Sequence, residues 1–123
     1  MKFVLDRPAA VHVVRAYVPG RLHVGERELA RSVIVCGATL IDDWRPQHVS
    51  ELTASDLEVV LALQPQVLLL GSGARQVFPP PELLAPLYAA RVGFEVMDTG
   101  AACRTYNVLV GEGRQVAAAL IIA

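Results

Sequence analysis

Two short stretches hold the residues best suited to chemistry, and each follows an apolar run. Residues 67–70 lead into Gly71-Ser72-Gly73-Ala74-Arg75-Gln76, and residues 94–98 lead into Thr99-Gly100-Ala101-Ala102-Cys103-Arg104-Thr105-Tyr106-Asn107. Each stretch is a glycine-containing polar turn with an arginine shortly after it. Gly71, Ser72 and Gly73 suit a tight turn that needs positive φ. They also suit a concave row of backbone N–H groups that binds an anion or a carbonyl oxygen. They do not form a dinucleotide fingerprint. Gln76 holds the place of the third glycine, and Pro79-Pro80-Pro81 precede any helix. Asp98 lies farther on than the ~20 residues at which a ribose-binding acid stands. No Gly-Lys-Ser/Thr follows, so the turn is not a P-loop either.

Asp98 and Thr99 mark a strand end that opens a helix. Thr99 reads as the N-cap. An anion at the same terminus is the alternative, but Asp98 sets a negative charge there and disfavours phosphate. Arg104 and Asn107 are three residues apart and share a helix face. The rest of that helix is apolar nearly all round, and a buried guanidinium requires a partner. Asp98 or a strand-end carbonyl supplies one internally; a ligand carboxylate is the other choice. Cys103 sits in the first turn beside Arg104, and both features lower a thiol pKa. His12, His23 and His48 are all remote in sequence, so a buried inert thiol is favoured over a nucleophile. Asp42-Asp43 reads as a solvated turn ahead of an acid/base pair. Trp44 is either a core lid or an interface anchor. The candidate ligand-binding set is therefore Gly71, Ser72, Gly73, Arg75, Asp98, Thr99, Arg104 and Asn107. No catalytic residue is assigned, and no cofactor or metal is expected, because CxxC, HxxxH and HExxH are all absent.

The elements that position these residues are legible from pattern. Residues 1–10 read as a loose arm. Residues 11–18 are β-branched and strand-like, and Pro19-Gly20 turns the chain. Residues 21–27 alternate around Gly25 as a short strand and tight turn. Residues 32–36 and 39–44 are two more strands, so the N-terminal third reads as a β-meander. Thr53 caps a first helix, with Asp56 in the capping-box position and Leu52 and Leu57 as a hydrophobic staple. Pro65 stops it. Strand 67–70 follows, then a Pro-started helix over 82–91 that contains Pro86. Gly93 suits the left-handed position after that helix. Strand 94–98, a helix over roughly 101–110 capped by Thr99 and closed by Gly111, and a final strand over 114–122 complete the chain. This alternation implies βαβ crossovers with helices covering the sheet. The picture is a three-layer α/β fold with an N-terminal β-meander, read as a single domain over residues 1–123.

Composition narrows the function classes. Hydrophobic residues make up 54% and charged residues 19% of 123 residues, with a net charge of −1. The apolar excess calls for a sheet covered on both faces or for apolar surface that meets a partner. Without a basic stripe, nucleic-acid binding has little electrostatic support. No run reaches the roughly 20 apolar residues of a membrane-spanning helix, and no secretory signal is read. Two distant cysteines are expected as free thiols in the cytoplasm.

The pair of turns has a known counterpart. Residues 69–73, Phe78-Pro79, residues 95–99 and residues 101–109, with Val24-Gly25 and Ile41 to Trp44, resemble the Mth938-like domain family. The resemblance covers nearly the whole chain. It implies a three-layer α/β fold with a mixed central sheet, and it brings no catalytic assignment. A mitochondrial relative in that family is an assembly factor acting through protein partners. The expectation is a cytoplasmic protein-interaction or assembly-factor-like module without catalysis. The alternative is a small-ligand-binding domain or enzyme that uses the edge around Gly71–Gly73, Asp98-Thr99 and Arg104.

Overall fold

The computed structural model describes residues 10–123. The arm expected over residues 1–10 thus lies, but for Ala10, outside the described residues. Two sheets form. The smaller is antiparallel, in the order β1 (Val14–Val18), β2 (Arg21–Val24), β3 (Arg27–Leu29). The larger has five strands in the order β5-β4-β8-β6-β7. Its members are β4 (Val33–Cys36), β5 (Thr39–Ile41), β6 (Val67–Gly71), β7 (Gly93–Met97) and β8 (Val116–Leu120). β6 runs parallel to both β7 and β8, while β4 runs antiparallel to β5 and β8. The central sheet is therefore mixed.

The N-terminal strands do not make one continuous meander. β1–β3 form their own sheet, and β4–β5 are a hairpin that extends the central sheet from β8. The pattern has a simple cause. Val33, Ile34 and Val35 are all buried, as a strand covered on both faces requires, whereas β1 and β2 bury only alternate positions or fewer.

Three helices complete three layers: α1 (Ala54–Leu61), α2 (Pro81–Ala89) and α3 (Thr99–Gly111). On one face of the central sheet, Leu68, Leu70, Val96, Ala117, Ala119 and Ile121 meet Leu57 and Val60 of α1 and Leu87 of α2. On the other face, Val35, Leu69, Ala118 and Leu120 meet Ala102, Cys103 and Tyr106 of α3, together with Val14, Leu22 and Val24 of the small sheet. Side chains of β8 alternate between the two cores, as period-2 geometry dictates. Its three consecutive alanines leave room for bulkier groups from both sides.

The helix ends show what local sequence controls. Thr53 caps α1 as expected: its hydroxyl accepts from the Asp56 amide, and the Asp56 carboxylate accepts from the Thr53 N–H at 2.8 Å. Trp44 is core, with its indole N–H donating to the Asp56 carbonyl at 3.2 Å. Two expectations are corrected. The left-handed residue after α2 is Arg91, at φ 56°, and Gly93 instead begins β7. Val92 N–H reaches the Leu87 carbonyl at 3.0 Å, so the helix closes early and lets the half-buried Val92 fold back onto the core. The cap of α3 is Asp98, not Thr99: the Asp98 carboxylate accepts from the Ala101 N–H at 2.9 Å. Thr99 is the first helical residue, because its hydroxyl is engaged elsewhere.

Candidate functional site

The carboxyl ends of β6 and β7 come together, as the sequence predicts, and Thr99 joins them. Its backbone N–H donates to the Gly73 carbonyl at 2.8 Å, and its hydroxyl accepts the Gly73 N–H at 2.8 Å. The same hydroxyl donates to the Ile121 carbonyl just beyond β8. Ser72 N–H donates to the Met97 carbonyl at 2.9 Å. The Ser72 hydroxyl accepts from Val77 N–H at 2.9 Å and donates to the Arg75 carbonyl. The amides of Ser72, Gly73 and Thr99 are therefore spent inside the protein. The turn is a closed junction of three strands and one helix.

Gly71 makes this junction possible. A Cβ at that position would lie 2.8 Å from the Thr99 hydroxyl and 3.1 Å from the Thr99 Cα. Only a residue without a side chain lets the start of α3 approach β6 so closely. Gly73 meets the other requirement, a backbone at φ 105°.

The remaining candidate residues separate onto two faces. Ser72, Gly73 and Arg75 border a depression of about 370 Å³ shared with His48, Val49 and Ile121. Arg104 and Asn107 border a cleft of about 210 Å³ shared with Val14, Tyr17, Gly100 and Cys103. Val49 and Ile121 belong to the core beneath α1 and α2, whereas Val14 and Cys103 belong to the core beneath α3. The eight residues do not line one pocket.

Within the second cleft each polar group has a distinct state. Asn107 is consumed: its Oδ1 accepts the Val14 N–H at 2.9 Å, and its Nδ2 donates to the Val14 carbonyl at 2.8 Å. The side chain stands in for a strand at the irregularity between Val14 and Ala16 of β1. Arg104 is exposed and, among the described residues, makes neither an ion pair nor a hydrogen bond. The expected tie to Asp98 does not form. Both groups nonetheless flank Gly100, whose Cβ would sit 3.4 Å from Asp98 Oδ1 and 3.5 Å from Arg104 Nη1. Solvent reaches the guanidinium, so the helix needs no internal counter-ion for it. Cys103 is corrected in sign. Burial pushes its thiol up to about 12, outweighing the opposing pull of the Arg104 charge. At neutral pH it is a protonated core group, not a nucleophile.

Three features carried no clear sequence signal. The Tyr17 hydroxyl is buried and has no hydrogen-bond partner among the described residues. Burial, with Cys103 and Asp98 nearby, raises its pKa against the opposing pull of the Thr99 side chain, which lies next to it. Arg45 and Asp56 form a two-point ion pair, Nε to Oδ1 at 3.0 Å and Nη2 to Oδ2 at 2.6 Å. Last, Phe78 and Tyr88 are 66% and 70% exposed, and Tyr88 packs edge-on against Phe94 with ring centroids 5.0 Å apart. Phe94 lies on β7, an edge strand of the central sheet. Phe78 could have drawn notice as a large apolar residue before three prolines. Among the described residues no cluster of His, Cys, Asp and Glu could hold a metal ion, and no helix is long and apolar enough to cross a membrane.

Comparison with known proteins agrees with this fold. A family model described as "Protein of unknown function (DUF498/DUF598)" matches residues 14–121. A "13 kDa major membrane protein" of Francisella tularensis is 31% identical over 111 residues, covering 87% of this chain and 88% of that protein. The "NADH dehydrogenase [ubiquinone] 1 alpha subcomplex assembly factor 3" of Danio rerio is 32% identical over 111 residues, covering 89% of this chain but only 63% of the assembly factor. Among solved structures, a Bordetella parapertussis protein superposes with a TM-score of 0.88 at 40% identity, covering 94% of this chain and all (100%) of that one. A Bordetella pertussis protein described as a Mth938-like domain gives 0.81 at 33% identity, covering 99% of this chain and 92% of that one.

Proposed function

The chain belongs to the DUF498/DUF598 family, and from that premise we propose that it is a non-catalytic protein-interaction module of the assembly-factor kind. One observation carries the reading: Tyr88 stands exposed against Phe94 of β7, an edge strand of the five-stranded sheet, and Phe78 is exposed in the segment that leads into α2. Aromatic residues of this size on a surface favour burial against another protein. Two further points support it. The strand-end junction, where an α/β fold commonly binds its substrate, spends its amides internally. The relatives named as assembly factors act, by that name, on other proteins. The net charge of −1 favours a protein partner over nucleic acid. The free thiols Cys36 and Cys103 are compatible with a reducing cytoplasmic setting.

The test is capture of a partner by the tagged chain, followed by reconstitution of the complex from two purified components. The double variant Phe78→Ser, Tyr88→Ser should weaken that complex at least about tenfold, the loss of roughly 1.4 kcal/mol. Its melting temperature should stay close to the parent's, because both side chains are exposed. A complex of undiminished affinity would place the interface elsewhere. Turnover of a small molecule by the isolated chain would overturn the reading altogether.

A further inference from the structure

We propose that two copies of the chain pair through β7, antiparallel about a two-fold axis at Phe94, so that their five-stranded sheets join. The inference rests on the reading that this edge of the molecule meets protein, and it names a second copy as the occupant.

The backbone of β7 defines the contact. β7 is bonded on one side only, to β6. The Gly93 N–H donates to the Gln66 carbonyl and the Met97 carbonyl accepts from the Ser72 N–H, so Gly93, Glu95 and Met97 turn their backbone groups inward. Successive residues of a strand alternate, so Phe94 and Val96 turn theirs outward. The Gln76 side-chain amide donates to the Val96 carbonyl at 2.9 Å and closes that end of the edge. At the other end, the Leu87 carbonyl holds the Val92 N–H at 3.0 Å. Phe94 is left with both an open N–H and an open C=O. An antiparallel strand meets such a residue by exchanging two hydrogen bonds with the residue opposite.

Charge and hydrogen bonding select the occupant and the register. An axis at Glu95 would set that carboxylate opposite itself, which is destabilising. It would also offer the Phe94 N–H to a Val96 carbonyl already taken by Gln76. An axis at Gly93 would set Phe94 opposite Val92, whose N–H is spent on Leu87. An axis at Phe94 lets the two Phe94 residues exchange both bonds and sets Glu95 opposite Gly93 of the other copy. Gly93 has no side chain to obstruct it, and Arg91 borders the same surface depression as Tyr88, Gly93 and Phe94. Arg91 and Glu95 are exposed and make no ion pair among the described residues. The two-fold supplies this opposite-charge contact twice, as an isologous interface must. It also brings the two Phe94 side chains opposite each other, each with Tyr88 5.0 Å away, ring centroid to ring centroid. Aromatic pairs across strands add to the pairing. The exposed residues Ala85, Tyr88 and Ala89 of α2 carry no charge that would repel the second copy. An edge of five residues makes a small contact, so the pairing is weak and concentration-dependent.

The experiment is sedimentation of the purified full chain from micromolar to millimolar concentration, with amide hydrogen exchange read by NMR over the same range. A monomer–dimer equilibrium should appear. The Phe94 N–H should become protected as the dimer fills, while the Glu95 N–H, already bonded to β6, should not change. Glu95→Arg should weaken the dimer about tenfold, because two attractions are lost and two repulsions gained. Arg91→Glu combined with Glu95→Arg should restore it. Both residues are exposed, so each variant should keep nearly the parent melting temperature. The proposal is overturned if the chain stays monomeric at millimolar concentration, if Glu95→Arg leaves the dimer as strong, or if the Phe94 N–H gains no protection. A monomer whose Phe94 N–H is protected only by a captured partner overturns it too, since the pairing strand then comes from another protein. In that case, or where a monomeric chain still binds a partner through Phe78 and Tyr88, the interaction reading stands and only this inference falls. A dimer of the stated register with no other partner captured separates the two in the opposite sense.

Discussion

Thr99 is where one side chain decides the local architecture. Threonine and aspartate are both good N-caps, and either could have capped α3. What settles the matter is 26 residues away in sequence: the Gly73 N–H needs an acceptor, and the Thr99 hydroxyl supplies it while donating to Ile121. Asp98 is then left to take the Ala101 amide. Thr99 is fully buried, so removing its hydroxyl strands two backbone groups without water to replace it. Thr99→Val keeps the shape and should cost about 2–4 kcal/mol, one to two unsatisfied buried groups. Thr99→Ser should cost far less. Urea denaturation midpoints at unchanged slope would measure both. If valine and serine proved equivalent, the junction would be held by packing and not by this hydroxyl.

At the scale of elements, the closeness of α3 to β6 depends on Gly71. Its missing Cβ would meet the Thr99 backbone, which cannot swing aside as a flexible side chain can. Gly71→Ala should destabilise by about 1–3 kcal/mol through overpacking, with the largest amide shifts at the start of α3. A neutral effect would mean that the helix can shift bodily. This same element pair shows what the sequence could and could not disclose. The strands at 67–71 and 93–97 and the Thr53–Asp56 box of α1 are local patterns, and residues within four positions of each other encode them. The two-sheet division of the N-terminal strands and the role of Asn107 are not local. Asn107 reads as a candidate ligand group because a polar residue on an apolar helix demands a partner. That partner is the backbone of Val14, 93 residues earlier, and no spacing rule spans such a distance. Arg104 was legible as the odd charge on α3, but its exposure followed only from how α3 sits against β1.

For the whole molecule, the Arg45–Asp56 pair links folding to pH. Asp56 is only 5% exposed, yet it accepts bonds from Arg45, from the Thr53 N–H and from the Thr53 hydroxyl. Arg45 also reaches the Glu51 carbonyl, so the pair clamps the one-turn 3₁₀ segment Val49–Glu51 onto the start of α1. The Arg45 contact, then the Thr53 donors, hold the Asp56 carboxyl below its ordinary range despite the cost of burial. A depressed folded pKa means that the unfolded chain takes up the proton first. The stabilisation is therefore complete above the unfolded carboxylate value of about 3.9, and it is lost as pH falls through the lower, folded value. Asp42 and Glu51 are lowered as well, by Arg27 and by the Gln47 and His48 amides respectively. Both are exposed, so salt screens what they add. Stability should consequently hold steady from pH 7 to about 4 as far as these carboxylates govern it, then fall, with a component that survives at high salt. Asp56→Asn should lower the urea midpoint at pH 7 and flatten that salt-resistant acid limb, since the amide has no proton to take up. An acid limb of the same steepness in the variant would assign the loss to the exposed carboxylates instead.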